Sequence, residues 1–330
     1  MERERFDEYL ERALYHPERG FYAAGGQAGR RGDFLTSPEV GPLFGAVIAR
    51  ALDAWWRELD RPHPFTVVEA GAGPGTLART VALAGPECAS ALRYVTVERS
   101  AAQRAQHPDG VEARVALPGE PVTGVVLANE LLDNLPFRLL ERTSDGWAEV
   151  WVDGGVERLV PLDDADVPEV ATAQARVPVG ARIPVQEQAT AWLGDALALV
   201  ERGRVVVVDY ADTTASMAAR PPREWLRTYR GHERWGDPLD TPGSQDVTVE
   251  VAVDQLAATR PPDEHRSQAD FLRAHGIEEL LDEGRRTWKE RAHLGDLAAI
   301  RARSRITEAE ALTDPAGLGA FRVLEWLVGP

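Results

Sequence analysis

Around residue 70 the sequence reads Val67-Val68-Glu69-Ala70-Gly71-Ala72-Gly73-Pro74-Gly75-Thr76. An apolar run ends in a carboxylate, and three glycines then alternate before a segment of helical composition. Glycine at alternate positions lets the backbone turn sharply out of a strand and approach a ligand with no Cβ in the way. The pattern is typical of a strand, loop and helix that bind a nucleotide-like cofactor, although a purely structural glycine loop has the same spacing.

Two carboxylates near this loop decide which cofactor fits. Glu69 precedes the first glycine, and Glu98 closes the next apolar run at 94–97. A dinucleotide fold carries its acid on the second strand, about 20 residues on, where it binds ribose hydroxyls. S-adenosylmethionine (SAM) has an ammonium and a sulfonium but no phosphate, so a carboxylate beside the loop suits its aminoacid tail. We therefore expect SAM rather than NAD, bound by Glu69, Gly71, Gly73, Gly75 and Glu98.

The composition limits the classes of partner. The chain has 330 residues, with 53 acidic and 37 basic side chains and a formal net charge of −16. Repulsion at this charge disfavours a nucleic-acid backbone or an anionic membrane, so a basic or neutral acceptor is expected. The length suits one large α/β domain with insertions, or a domain with a small subdomain.

Cysteine usage and the start of the chain bear on the compartment. A single cysteine, Cys88, excludes an internal disulfide and fits a reducing environment. The opening Met1-Glu2-Arg3-Glu4-Arg5 is charged where a signal peptide is apolar, and no stretch approaches the ~20 apolar residues of a membrane span. A cytoplasmic protein without membrane insertion is the prediction.

Hydrophobic periodicity predicts an α/β fold with a doubly wound, mostly parallel sheet. Nearly all-apolar runs, as expected of strands covered on both faces, lie at 66–68, 94–98, 124–128 and 204–209. Apolar residues at helical spacing predict helices at 6–14, 44–59, 187–201, 268–275, 277–292 and 296–303. A last strand is predicted at 320–328.

Two segments depart from this alternation. Residues 138–186 show short alternating runs and predict an inserted β-rich subdomain. Residues 221–243, rich in Arg, Trp, Pro and Gly, predict a loop that is too long for a simple connection and is therefore a lid. We divide the chain into an N-terminal helical cap over the cofactor site (1–62) and a Rossmann-like domain (63–330) with a lid and helical segment at 211–312.

A second group of polar residues lies in Asn129-Glu130-Leu131-Leu132-Asp133-Asn134-Leu135-Pro136, after a predicted strand. Carboxyl ends of parallel strands face the ligand crevice, and residues three apart on a helical turn share a face. Asn129, Glu130 and Asp133 are therefore predicted to converge on the methyl donor. The alternative for Asp133 alone is that it caps a helix. Glu130 is harder to explain structurally, because a carboxylate at the end of a buried strand is costly unless it is paired.

The segment Thr36-Ser37-Pro38-Glu39 is either a helix cap, since Ser followed by Pro is a good helix start, or part of the site. It also belongs to a set of blocks that carries a resemblance. The other blocks are Tyr15-x-Pro17-x-x-Gly20-Phe21-Tyr22, Gly32-Asp33-Phe34, the glycine loop with Glu69, the run from Asn129 to Pro136, Asp209-Tyr210 and Asp246-Val247-Thr248. In this combination and order the chain resembles the MidA family of SAM-dependent methyltransferases.

The resemblance implies a class I, Rossmann-like methyltransferase with Thr36, Ser37 and Glu39 folded over the SAM pocket. The family includes a mitochondrial complex I assembly factor that methylates an arginine of a partner subunit, which implies a basic or arginine-bearing protein as acceptor. Carboxylates that hold a guanidinium bidentately orient one nitrogen and compensate its charge. Glu130 and Asp133 are the predicted clamp, and we assign Asn129 to both the catalytic and the cofactor-binding set.

Other candidates and other functions stay open at this point. His232, in the predicted lid, is a further catalytic candidate, although a lone loop histidine is more often structural or solvated. Asp209 and Tyr210 either wall the acceptor pocket or cap a turn. No metal site is predicted, because the seven histidines are scattered without metal-ligand spacing. The rival functions are a small-molecule O- or N-methyltransferase and a SAM-binding assembly factor without turnover.

Overall fold

A computed structural model of the chain describes residues 3–23, 36–174, 176–230, 233–234 and 236–329. The strands in these ranges are β1 (Glu4–Arg5), β2 (Phe65–Ala70), β3 (Leu92–Val97), β4 (Glu112–Arg114), β5 (Val122–Asn129), β6 (Arg138–Thr143), β7 (Gly146–Asp153), β8 (Val156–Pro161), β9 (Arg182–Val185), β10 (Val200–Asp209), β11 (Ala211–Asp212), β12 (Leu226–Arg230), β13 (Glu233–Arg234), β14 (Asp246–Val249), β15 (Val251–Ala252), β16 (Glu264–Ser267) and β17 (Arg322–Val328).

The helices in the same ranges are α1 (Phe6–Tyr15), α2 (Ser37–Val40), α3 (Pro42–Glu58), α4 (Thr76–Ala84), α5 (Ala101–Arg104), α6 (Glu169–Ala173), α7 (Glu187–Leu199), α8 (Thr214–Ala218), α9 (Val253–Thr259), α10 (Gln268–Ala274), α11 (Ile277–Arg291) and α12 (Leu297–Thr313). None of these described helices is long and apolar enough to cross a membrane.

The central sheet has the strand order β16-β17-β10-β5-β2-β3-β4. The neighbours from β10 to β4 all pair in parallel, whereas β17 runs antiparallel to both β10 and β16. Chain order runs from β2 through β3 to β4 on one side and continues from β5 to β10 on the other. The topological switch point, where open α/β sheets bind ligands, therefore lies between β2 and β5.

Helices cover both faces of this sheet, which explains why its central strands are nearly continuous apolar runs. On one face, side chains of α3, α4 and α10 to α12 pack with Val67, Val125 and Val206. On the other face, side chains of α7 and α9 pack with Val68 and Val126. The predicted doubly wound, mostly parallel sheet is confirmed.

The predicted β-rich insertion is also present, as an antiparallel sheet built from β6, β7, β8 and β9. The N-terminal strand β1 pairs with β7, and α1 packs its apolar face on the sheet through Phe6 and Leu10, against Leu139 and Val150. Helix α3, in contrast, belongs to the core of the central sheet. The division of the chain at residue 62 stays a prediction, but it would separate α3 from the sheet on which it packs.

Two predicted elements differ from the structure. Residues 221–243 were predicted as one long loop, but β12 and β13 lie there and join β14 in a three-stranded antiparallel sheet. Leu226 and Thr228 alternate with more exposed residues on β12, a period-two pattern too short to stand out among Arg and Pro. The helix predicted at 296–303 extends to Thr313, and Asp296 caps its start by accepting the Ala299 N–H.

Candidate active site

A cavity of about 700 Å³ lies at the carboxyl ends of β2, β3 and β5, at the switch point of the central sheet. Its volume is within the ~300–1,000 Å³ typical of small-molecule sites. The wall includes the glycine loop, the residues after β3, β4 and β5, one face of α7 and two tyrosines from the N-terminal segment.

The glycine loop forms the side of the cavity next to β2. Gly71 and Gly73 line the cavity with φ angles of 68° and 52°, in the left-handed region that favours glycine. A Cβ at Gly71 would lie 2.9 Å from Leu131 Cδ1. Gly75, at φ 77°, precedes the first residue of α4 and is not among the described residues of the wall, so its role is to turn the chain into the helix.

Glu98 follows β3 and connects that strand to the glycine loop. Its carboxylate accepts the Gly73 N–H at 3.0 Å and the Ser100 N–H at 2.7 Å. Burial raises the pKa of Glu98, although both of these backbone donors act against the rise. The side chain lines the cavity and thus contributes to both the shape of the loop and the polarity of the wall.

Glu69 is the penultimate residue of β2 and is 4% exposed. The Tyr94 hydroxyl donates to its Oε2 at 2.7 Å. Burial raises the pKa of Glu69 to about 7, because water no longer solvates the charged form. The carboxyl lines the cavity beside the glycine loop, where a cationic ligand group would favour its ionised form.

Glu130 comes directly after β5 and also faces the cavity. Its φ of 51° is unusual for a residue with a side chain, and such strain often marks a functional position. Its Oε1 accepts the Ser37 N–H at 2.9 Å and the Asn129 side-chain amide at 3.1 Å, whereas Oε2 accepts no hydrogen bond from a described residue. Burial raises the pKa of Glu130 to about 7.

Asp133 differs from its predicted placement. It is 5% exposed and is not among the described residues of the cavity wall. Residues Leu132–Asn134 form a 3-10 turn rather than an α-helical turn, and Asp209 accepts the N–H groups of Leu132 and Asp133 at 3.0 and 3.3 Å. Asp133 therefore does not share a face with Glu130, and its part in an acceptor clamp stays a prediction. Asp209 anchors this turn.

The buried carboxyls around Asp133 perturb one another. Burial raises the pKa of Asp133 well above its ordinary value, and the negative charges of Asp209, Asp246 and Glu130 add to the rise. The Tyr210 hydroxyl lies near Asp133 and acts against this rise. Asp133 Oδ1 accepts no hydrogen bond from any residue that the structure describes. This polar cluster adjoins the cavity, because Asn134 lines the cavity and donates to Asp246.

The block from Thr36 to Glu39 covers the cavity from the side of α2. Thr36, Pro38 and Glu39 line it, whereas Ser37 is fully buried behind them and donates its hydroxyl to Gln268 Oε1 at 2.9 Å. Ser37 therefore acts on the site through its backbone N–H, which reaches Glu130. His232 lies outside the described residues.

Several residues of the cavity wall were not predicted as site residues from the sequence. Tyr15 and Tyr22 stack with ring centroids 5.4 Å apart, and α7 contributes Trp192 and Asp195. Gln103 approaches the loop from α5. All of these come from elements far apart in the sequence, so their convergence depends on tertiary packing. The blocks that include Tyr15 and Tyr22 were the available hint.

The charges of the cavity fit SAM and disfavour a phosphate-bearing cofactor. The acidic side chains of its described wall are Glu39, Glu69, Glu98, Glu130 and Asp195. Arg99 is the one basic side chain there, and it is paired with Glu11. Asn129 Oδ1, moreover, is buried and accepts no hydrogen bond from the described part of the chain, and Asn129 lines the cavity. An ammonium or sulfonium would be stabilised by these groups, whereas a pyrophosphate would be repelled.

Proteins named protein arginine methyltransferase NDUFAF7 are similar to most of the chain. The mitochondrial homolog from Drosophila melanogaster is 28% identical over a 299-residue alignment that covers 77% of this chain and 66% of that protein. The mitochondrial protein from Homo sapiens is 26% identical over a 329-residue alignment that covers 83% of this chain and 70% of that protein. The chain thus spans about two thirds of the length of these relatives.

Solved structures and a family model agree with the cofactor assignment. A crystal structure of a protein from Burkholderia thailandensis bound to S-adenosyl-homocysteine has a TM-score of 0.81 and 29% identity, covering 98% of this chain and 87% of that chain. The model of the family described as "Putative S-adenosyl-L-methionine-dependent methyltransferase" matches residues 47–265. With the SAM-compatible cavity, these matches show that the chain belongs to this family of SAM-dependent methyltransferases.

Proposed function

We propose that this chain transfers a methyl group from SAM to an arginine side chain of a protein. Two observations support the acceptor class. The relatives in fly and human carry the name protein arginine methyltransferase. The cavity also offers several carboxyls against one paired arginine, and carboxylates bind a guanidinium through strong, charge-assisted hydrogen bonds.

The observation that carries the proposal is the way in which the carboxyl of Glu130 is held in the cavity. One oxygen is fixed by Ser37 and Asn129, and the other is left for a ligand in the cavity. A carboxylate held in this way can orient one guanidinium nitrogen without reorganising, which is the main requirement of an in-line displacement.

When bound, SAM supplies an electrophilic methyl group on a sulfonium. Transfer of this methyl group to a guanidinium nitrogen would release S-adenosyl-homocysteine and require the nitrogen to give up a proton, which Oε2 of Glu130 would accept. A pKa of about 7 suits this task, because a base near the operating pH combines an available ionised form with sufficient basicity. Glu130 thus orients the acceptor first and holds its proton afterwards.

A labelling experiment tests this proposal. The protein is incubated with methyl-labelled SAM and a lysate from cells that lack its gene, and labelled products are separated by size. A labelled protein whose modified residue is identified as methylarginine by mass spectrometry is the expected result. Label in a small molecule alone would favour a small-molecule methyltransferase, and SAM binding without any transfer would favour an assembly factor.

A further inference from the structure

Glu130 is oriented by the short helix α2, whose position depends on contacts with other elements. The Ser37 N–H that binds Glu130 belongs to α2, which has four residues and no side-chain cap at its start. Its internal support comes from hydrogen bonds to the Thr36 carbonyl, at 2.9 Å from Glu39 N and 3.2 Å from Val40 N. So short a helix is not stable by itself, and its placement depends on contacts from other elements.

Gln268, the first residue of α10, makes such a contact. Its Oε1 accepts the Ser37 hydroxyl at 2.9 Å, and its Nε2 donates to the Leu312 carbonyl at 3.2 Å. Its backbone N–H donates to the Phe321 carbonyl at 2.7 Å. Both Gln268 and Ser37 are fully buried. Every polar group of the Gln268 side chain is therefore committed, and the amide is fixed relative to α12.

The hydrogen bonds form a continuous connection from α12 to the cavity. It runs from the Leu312 carbonyl through the Gln268 amide and Ser37 to Glu130 Oε1. A buried amide is costly if it loses its partners, so this connection has one strongly preferred geometry. We propose that Gln268 is a positioning residue for Glu130, because it fixes Ser37 and thereby aims the Ser37 N–H at the carboxylate.

The pKa of Glu130 reports on its hydrogen bond from the Ser37 N–H, because acidic groups surround this carboxyl. The neighbouring titratable groups are the carboxyls of Asp133 and Asp209, and Glu39 and Glu69 also belong to the cavity wall. The Ser37 N–H and the Asn129 amide are the groups that act against the burial-driven rise in the pKa of Glu130. Weakening the Ser37 bond must therefore raise that pKa further.

Two variants interrupt the connection without touching Glu130. Gln268→Met keeps the length of the side chain and removes both hydrogen bonds, whereas Ser37→Ala removes the hydroxyl and keeps the N–H. Gln255→Met is the matched control. Gln255 is a buried glutamine whose amide accepts from Gln186 N and donates to the Pro184 carbonyl, on the β9 and α9 side of the molecule.

The measurement is the titration of Glu130 by carbon NMR of protein labelled at glutamate carboxyls, with the signal assigned by its absence in Glu130→Gln. We expect Gln268→Met and Ser37→Ala to raise the pKa of Glu130 by about half a unit to one unit. Gln255→Met should leave it unchanged even though the protein is less stable. With lysate protein as acceptor, kcat should fall roughly 10- to 100-fold in the first two variants.

This inference rests on the proposed role of Glu130. The experiment therefore has different outcomes for a failure of the positioning role of Gln268 and for a failure of the proposed function. An unchanged pKa of Glu130 in both Gln268→Met and Ser37→Ala, or the same shift in Gln255→Met, would overturn the positioning role. If one of the two variants does not fold, the other decides. Full turnover in Glu130→Gln would overturn the proposed function, while the NMR titration would still report on the connection from Gln268.

Discussion

Among single residues, Gly73 is the one on which the cofactor assignment depends most, because a side chain there would keep the cofactor from approaching the backbone. Gly73 lines the cavity at φ 52°, and a Cβ there would lie 3.2 Å from Gln103 Oε1. We expect Gly73→Val to abolish SAM binding in isothermal titration calorimetry while the protein stays folded. The reason is that a branched side chain occupies the space where the cofactor approaches the backbone.

Gly85→Val is the control for backbone strain. Gly85 ends α4 at φ 64° and has open space around its Cβ position. Like Gly73→Val, this substitution places a side chain at a positive φ angle and should lower the unfolding free energy by about 1–2 kcal/mol, but its side chain does not reach the cavity. SAM affinity should be unaffected. If folded Gly73→Val bound SAM as tightly as the wild type, the glycine loop would be structural and the cofactor site would lie elsewhere.

The carboxyl of Glu69 gives the stability of the protein a specific pH dependence. Burial raises its pKa from 4.5 to about 7, so the folded state holds a proton that the unfolded state has already released. The associated stability is fully present below pH 4.5 and is lost as the pH rises towards 7. The expected loss attributable to Glu69 is roughly 2–3 kcal/mol.

Urea unfolding at pH 5 and pH 8 measures this effect. Glu69→Gln cannot ionise, and its amide oxygen can still accept the Tyr94 hydroxyl, so the variant should lose less stability between the two pH values than the wild type. An equal loss in both proteins would show that Glu69 ionises at its ordinary pKa in the fold.

At the level of elements, the three-stranded sheet of β12, β13 and β14 lies where one long loop was predicted, and its role as a lid stays a prediction. Backbone hydrogen bonds pair Leu226 to Tyr229 with Asp246 to Val249, and Trp225 beside them is fully buried. Hydrogen exchange should therefore show protected amides in β12 without SAM, to a degree similar to that with SAM. Rapid exchange of these amides without SAM, followed by protection when SAM binds, would support the prediction that this segment is a lid.

The elements that sequence reasoning located share a physical basis. β2, β3, β5 and β10 are buried on both faces, so their apolar runs are continuous and easily recognised. β12 and β16 are short strands whose existence depends on partners far along the chain, and local periodicity does not encode that pairing. The 3-10 turn after β5 was missed for a related reason, since Asp209 on another strand holds it.

For the molecule as a whole, some site residues could be predicted from the topology of the sheet, whereas others reach the cavity only through tertiary packing. Glu69, Glu98 and Glu130 lie at the carboxyl ends of parallel strands, so the topology alone predicted that they meet at one edge of the sheet. Trp192 and the stacked Tyr15 and Tyr22 reach the cavity through helix packing and through the insertion. Asp133 follows a strand end too, but the local turn buries it away from the cavity.

The central claim is that this methyltransferase uses Glu130 to present a protein arginine to SAM. The most direct measurement is turnover on the labelled acceptor protein at saturating SAM, for wild type, Glu130→Gln and the control Asp195→Asn, which removes a carboxylate of the same cavity from α7. The account predicts that kcat and kcat/KM fall together by about 100-fold or more in Glu130→Gln, with SAM affinity within a few fold, and that Asp195→Asn retains most of its turnover. Wild-type turnover in Glu130→Gln, or methyl groups found on residues other than arginine, would contradict it.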